Sequence, residues 1–126
     1  MKIVVITGEE SGDQLGASLL IALEKIYDQK LDVFGIGGKA LEERGLKKFY
    51  DISEINVMGI VEVVPKIFHI KKIINNTVDK ILEINPDIVL TIDSPDFTLR
   101  IAKKLKKKNN NLKIVHFVAP SVWIWR

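Results

Sequence analysis

Two hydrophobic periods alternate along this chain. Lys2 to Thr7 is a short β-branched run stopped by Gly8, and from Ser11 to Tyr27 the apolar residues Leu15, Leu19, Ala22, Leu23 and Ile26 return at helical spacing. The pattern predicts strand, turn, helix. Leu31 to Ile36 reads as a second strand entering Gly35-Ile36-Gly37-Gly38. Lys39 to Arg44 reads as a short helix that Gly45 stops at a C′ position, and Lys47 to Ile52 as a weaker third strand. Val57 to Ile84 carries a long helical pattern interrupted at Pro65, which cannot donate to the helix ladder, and Asn85-Pro86 closes it. Asp87 to Ile92 is a strongly apolar strand. Asp93-Ser94-Pro95-Asp96 is a turn with Pro95 in a helix-opening position, Phe97 to Lys108 the following helix, and Leu112 to Val118 a fifth strand. This alternation predicts the α/β class, a doubly wound, Rossmann-like parallel sheet covered on both faces. In such sheets ligands bind beyond the carboxyl ends of the strands, so the informative residues follow Thr7, Ile36, Ile92 and Val118.

One helical stretch is apolar over too wide an arc. Ile60, Val61, Val63, Val64, Ile67, Phe68, Ile70 and Ile74 cover about half the circumference, more than the ~100° that a one-sided helix needs. Lys66, Lys71 and Lys72 flank that arc, which suits a helix lying in an anionic membrane interface. Burial on two sides, against another domain or subunit, is the other reading.

Length and composition narrow the field. A chain of 126 residues is one domain, too short for a two-lobed enzyme with its own interlobe cleft. With 47% hydrophobic and 28% charged residues it has material for one packed core and no sign of disorder. Cysteine is absent, which excludes disulfides, a thiolate nucleophile and Cys-type zinc sites within these residues. The N-terminal apolar run meets Gly8, Glu9 and Glu10 too soon for a signal peptide, and no uncharged run approaches ~18 residues, so a cytoplasmic protein is expected. The net charge of +3 is uneven: residues 1–63 hold 7 Lys/Arg against 11 Asp/Glu, and residues 64–126 hold 12 against 5. Lys103, Lys104, Lys106, Lys107 and Lys108 therefore form either a solvated face or a surface for phosphates, an anionic membrane or nucleic acid.

Four loops are candidates for chemistry. The first, Gly8 to Gly16, spaces its glycines four and four rather than G-x-G-x-x-G, lacks a P-loop ending, and carries three carboxylates that would repel a pyrophosphate. Either Ser11 or Asp13 caps the helix while Gly8 and Gly12 make the turn, or Glu9 and Ser11 face a hydroxyl-rich ligand. Gly35 to Gly38 allows close backbone approach or simply a tight turn. Asp93 follows an apolar strand directly, so a partly desolvated carboxylate there suits a general base. Asp96, in the first helical turn, answers to the helix dipole, and nothing near the pair completes a metal site. In the last loop, Ser121 and His116 do not make a convincing triad with Asp93, and Trp123 and Trp125 either wall a ligand site or fill a core.

Gly8-Glu9-Glu10-Ser11-Gly12-Asp13, Met58-Gly59-Ile60-Val61-Glu62-Val63, Ile92-Asp93-Ser94-Pro95-Asp96-Phe97 and Pro120-Ser121-Val122-Trp123-Ile124-Trp125-Arg126 resemble, in order and spacing, the N-terminal part of the lipid-A-disaccharide synthases. That resemblance implies the N-terminal half of a GT-B glycosyltransferase fold. It implies an inverting transfer from UDP-2,3-diacylglucosamine to 2,3-diacylglucosamine 1-phosphate (lipid X) at the cytoplasmic face of a Gram-negative inner membrane, without metal or cofactor and without nucleic acid. Asp93 would be the catalytic base. Glu9, Ser11, Met58, Gly59, Ser121 and Trp123 would border the substrates, and Val61, Val64, Phe68, Lys71 and Lys72 would face the membrane. A C-terminal donor-binding lobe, in the same or another chain, would complete the cleft, so these 126 residues alone are expected to be inactive. Thr98, Ala119 and Ile124 stand where the family commonly has Asn, Ser and Ala; Thr98 could keep a hydroxyl contact but not an amide's paired donor and acceptor, which puts any polar role at that position in doubt. The competing reading is a non-catalytic Rossmann-like remnant or a module that docks on membranes or partners.

Overall fold

The computed structural model describes residues 1–55 and 63–118, with side chains from residue 66 onward in the second stretch. Five strands, β1 (Lys2–Thr7), β2 (Asp32–Gly37), β3 (Lys47–Asp51), β4 (Ile88–Ile92) and β5 (Ile114–Phe117), form one parallel sheet in the order β3-β2-β1-β4-β5. The helices are α1 (Glu10–Tyr27), α2 (Lys39–Glu43), α3 (Ile52–Ile55), α4 (Val63–Ile84) and α5 (Pro95–Lys108).

β1 sits at the centre because it is apolar on both faces. Ile3, Val4, Val5 and Ile6 are each 0% exposed, and burying such a side chain contributes ~1.5–3 kcal/mol before chain entropy is subtracted. Ile3 and Val5 pack with Leu20 of α1 and Leu41 of α2 on one face of the sheet. Val4 and Ile6 pack with Ile73, Ile74, Val78 and Ile81 of α4 and Ile101 and Leu105 of α5 on the other. Both faces are therefore covered, as the continuous apolar run anticipates.

Several element ends differ from expectation for local reasons. β3 stops at Asp51 because Ile52 opens α3: Asp51 Oδ2 accepts the Ser53 N–H (3.0 Å) and Glu54 Oε2 accepts the Asp51 N–H (2.8 Å), a reciprocal cap. The Asp51-Ile52-Ser53-Glu54 spacing was the legible signal for this helix. α5 begins at Pro95 itself, whose missing N–H would have had no partner in the first turn. α4 runs from Val63 through Pro65, where the pattern predicts an interruption, and the rest of the predicted Val57–Ile84 helix lies outside the described residues. Gly45 follows α2 with φ +93°, as a C′ residue should.

Candidate active site

The sheet order reverses direction between β1 and β4, and that switch point is where α/β sheets bind ligands. Thr7 and Ile92 are register partners, so Gly8-Glu9 and Asp93-Ser94 leave the sheet side by side. A Cβ added at Gly8 would lie 3.2 Å from Ser94 Oγ. The first and third sequence loops thus form one edge. Glu9, extended at the N-cap of α1, and Ser11, in its first turn, are both exposed there.

Neither Ser11 nor Asp13 caps α1, contrary to one reading of the first loop: the helix begins at Glu10 and has no side-chain cap. Gly12 does not make the turn either. It lies inside the helix, where a Cβ would collide with the Thr7 hydroxyl, so its smallness lets α1 press onto the end of β1. Asp13 reaches across to α2. Its Oδ1 accepts the N–H groups of Gly38 (2.7 Å) and Leu41 (3.1 Å), and its Oδ2 accepts that of Ala40 (2.9 Å). The carboxylate, 3% exposed, satisfies the donors at the start of that short helix. A Cβ at Gly38 would sit 2.9 Å from Asp13 Oδ2, which accounts for the glycine at that position. One of the three first-loop carboxylates is therefore a structural clamp and does not line the mouth.

Asp93 sits in an unusual turn. Asp93 and Ser94 both have left-handed backbones (φ 47° and 44°), a conformation that costs side-chain-bearing residues of order 1–3 kcal/mol and persists only where the surroundings impose it. Here they do. The Asp93 N–H donates to Phe117 O of β5 (2.8 Å), and the N–H groups of Phe97 and Thr98 both donate to Ser94 O (2.9 Å each). The fully buried Thr98 hydroxyl donates to Asp93 O (2.8 Å), with Ser94 O as a second, longer acceptor (3.2 Å). The hydroxyl at position 98 therefore has a defined job, and it acts on the main chain that carries Asp93. Asp93 itself is half-buried, Asp96 is exposed, and Ser94 Oγ is buried with no hydrogen-bond partner among the described residues. Ser94 and Thr98 are the edge residues that sequence reasoning left without roles; the Ser-Pro step marked the turn but not its handedness.

His116 lies opposite Thr91 in the β4–β5 register, and Nδ1 shares a 2.8 Å hydrogen bond with the Thr91 hydroxyl. Its ring is thus engaged within the sheet. Met58, Gly59, Val61, Ser121 and Trp123, together with the Val64 side chain, lie outside the described residues. Of the expected membrane-facing set, Phe68 is 66% exposed and Lys71 and Lys72 are exposed beside it, as is Ile67 at 56%. Ile73, Ile74, Val78 and Ile81 take the core side of α4 instead. Among the described residues no helix is long and apolar enough to cross a membrane, and no three His, Cys, Asp or Glu side chains gather as metal ligands would.

Ion pairs shape a further acid at this edge. Asp51, at the end of β3, bonds Lys48 Nζ at 2.6 Å; that bond, with the Ser53 N–H, holds its carboxyl down to about 2. The same contact, with Glu42 at 2.8 Å, raises the Lys48 ammonium.

A five-stranded parallel α/β sheet whose strand order switches direction beside Asp93 is a Rossmann-like fold. Solved structures agree on the fold. UDP-GlcNAc 2-epimerase from Neisseria meningitidis, bound to UDP-GlcNAc, superimposes with a TM-score of 0.59 at 18% identity, over 92% of this chain and 31% of that one. The S. aureus MnaA–UDP structure matches with a TM-score of 0.56 at 22% identity, over 91% of this chain and 28% of that one. The family model for lipid-A-disaccharide synthetase matches residues 3–126, and the chain belongs to that family. It is 45% identical to lipid-A-disaccharide synthase of Ruegeria pomeroyi, over 100% of this chain and 31% of that protein. It is 48% identical to that of Rickettsia bellii, over 99% of this chain and 32% of that protein. The chain thus spans about a third of the length of these curated relatives.

Proposed function

We propose that this chain is the acceptor-side lobe of an inverting hexosyltransferase of lipid A biosynthesis. The enzyme joins UDP-2,3-diacylglucosamine to 2,3-diacylglucosamine 1-phosphate to give the β-1,6 disaccharide and UDP. The observation that carries the reading is the strained Asp93 turn at the switch point of a chain belonging to this family. In the reaction, the acceptor 6-hydroxyl oxygen forms a bond to the donor's anomeric carbon as its proton passes to Asp93. The bond from that carbon to the UDP oxygen breaks on the opposite face, and its electron pair leaves with UDP. Attack opposite the leaving group inverts the centre. A base fixed by the backbone supplies the orientation that such a step needs.

Around that base, Glu9 and Ser11 take sugar hydroxyls. Met58 and Gly59 shape the acceptor entrance, and Ser121 and Trp123 border the cleft. No cofactor is assigned; the UDP-sugar is a substrate. A donor-binding lobe, in the same or another chain, supplies the rest of the cleft. Val61, Val64 and Phe68, with Lys71 and Lys72, face the cytoplasmic side of the inner membrane, where both diacylated sugars reside. The exposed Ile67 and Phe68 alone would equally favour a docking module without chemistry. The test is UDP release from the two diacylated substrates by the full-length protein and by its Asp93→Asn variant, with the linkage of the product read by NMR. A β-1,6 product lost with Asp93→Asn supports the enzyme reading; equal turnover by both proteins rejects Asp93, and no turnover by either favours the docking module.

A further inference from the structure

α4 and α5 lie side by side on one face of the sheet. They are tied by Lys104 Nζ donating to Asn75 Oδ1 (2.9 Å) and by a looser Lys108–Asp79 pair (3.9 Å). Nearer the carboxyl edge, residues 66–74 and 96–107 leave between them an open groove of about 980 Å³. Its floor is apolar, formed by Ile55, Ile70, Ile74 and Phe97, and Ile67 continues it outward to the exposed surface of α4. Its rim is cationic on both sides, with Lys66 and Lys71 on α4 facing Arg100, Lys103 and Lys107 on α5, and Lys104 beyond. Against these six, Asp96 is the single acid among the described residues of the lining. Among the described residues no carboxylate forms an ion pair with Lys66, Lys71, Arg100, Lys103 or Lys107.

An apolar trough walled by one sign of charge focuses field into the space between the walls, and it suits a ligand that is itself an anion joined to a hydrocarbon. We propose that this groove seats one anionic phospholipid of the bilayer, its phosphate among Lys71, Arg100 and Lys103 and an acyl chain along Ile67, Ile70 and Phe97. The proposal rests on the membrane-facing reading of α4 and adds a discrete lipid site to it. Nucleic acid fits less well, since single strands are held by exposed aromatic platforms and the one ring among the described residues of this groove, Phe97, is 7% exposed. A lipid held here also sets the Asp93 edge at the membrane surface, because α5 starts at that edge and the groove runs from its first turn.

The test uses the full-length protein and sedimentation with vesicles of phosphatidylcholine, with or without phosphatidylglycerol. Arg100→Gln with Lys103→Gln is expected to lower partition onto the anionic vesicles about 10–30-fold and to leave partition onto neutral ones unchanged, as two lost cations near a charged bilayer imply. Phe68→Ser, outside the groove, should weaken both. Saturable binding of soluble dihexanoyl phosphatidylglycerol should fall at least tenfold in Ile70→Trp, which fills the trough without changing its charge. If the unsubstituted protein stays in the supernatant with both vesicle types, the membrane reading falls and the groove with it. If it sediments but the Arg100/Lys103 variant sediments equally well, the groove proposal alone is overturned. Glycerol phosphate binding as tightly as the short-chain lipid would make this a bare anion site, and displacement of that lipid by a single-stranded oligonucleotide would make it a polyanion groove; either result rejects the proposal.

Discussion

The β1–α1 and β4–α5 crossovers leave the same edge of the sheet side by side, and each carries an aspartate that the chain puts to a different use. In the first crossover the backbone keeps ordinary angles, and Asp13, one turn into the helix, is drawn inward to three N–H groups of α2. In the second crossover, Asp93 comes directly after the strand, and two left-handed residues hold it at the switch point. An acid near the end of a strand is therefore not enough to mark chemistry. Three N–H donors of the Gly38–Leu41 segment meet the Asp13 carboxylate itself, whereas Phe117, Phe97 and Thr98 hold the main chain of the Asp93–Ser94 turn.

The sharpest way to break this contrast is to neutralise each acid in turn. Asp93→Asn should cut turnover of the full-length enzyme by ~10²–10⁴-fold while its thermal midpoint stays close to that of the parent, since general-base removal carries that share of a rate. Asp13→Ala should do the reverse. It strands three buried N–H groups and is expected to cost about 3 kcal/mol or more in urea unfolding, with Asp13→Asn milder because its oxygen still accepts. If Asp13→Ala left stability unchanged, the clamp would be wrong.

A subtler change separates presentation from chemistry. Thr98→Val removes the hydroxyl from Asp93 O and should cost ~1–2 kcal/mol of stability, the scale of one buried hydrogen bond. If Thr98 positions the base, kcat should fall while KM for the acceptor barely moves, and Thr98→Ser should restore both. Loss of KM alone would place Thr98 in substrate binding instead.

The smallest effect concerns Asp51, which lies between the two extremes. Its folded value of about 2 is below the ordinary 3.8, so its contribution is present above ~4 and fades as pH falls toward 2. The Lys48–Asp51 pair is partly exposed (23% and 38%), so solvent screening keeps the change within ~1 kcal/mol. Unfolding of Asp51→Asn followed across that acid range should show a shallower loss of stability than the parent, and identical slopes would remove the pair from the account.

Much of the fold was legible in the chain because it follows from local chemistry. The apolar runs Lys2 to Thr7 and Asp87 to Ile92 read as strands, Pro95 as a helix opener and Gly45 as a helix stop; each is observed, the second strand starting one residue later at Ile88. The over-wide apolar arc of α4 was also legible, and Ile67 and Phe68 do remain uncovered. The role of Asp13 was hidden because its partners lie 25–28 residues away, on a helix whose position no local pattern states. The left-handed turn at Asp93 was hidden for a related reason. Its supports come from Phe117 on another strand and from Thr98 one helical turn ahead, and strain of that kind exists only once those groups are in place.

By itself, then, the chain's alternation of periods determined that strands and helices would take turns, that β1 and β4 would be buried on both faces, and that Asp93 would stand at a strand end. Those outcomes depend on side-chain hydrophobicity and backbone propensity over a few neighbouring residues. Only the tertiary structure decided that β1 and β4 would be neighbours, that one aspartate would be clamped and the other presented, and that lysines about thirty residues apart would face each other across an apolar groove. Those depend on which surfaces meet when the sheet closes around its core, and a carboxylate or an ammonium takes its role from the groups that this meeting brings within a few ångströms of it.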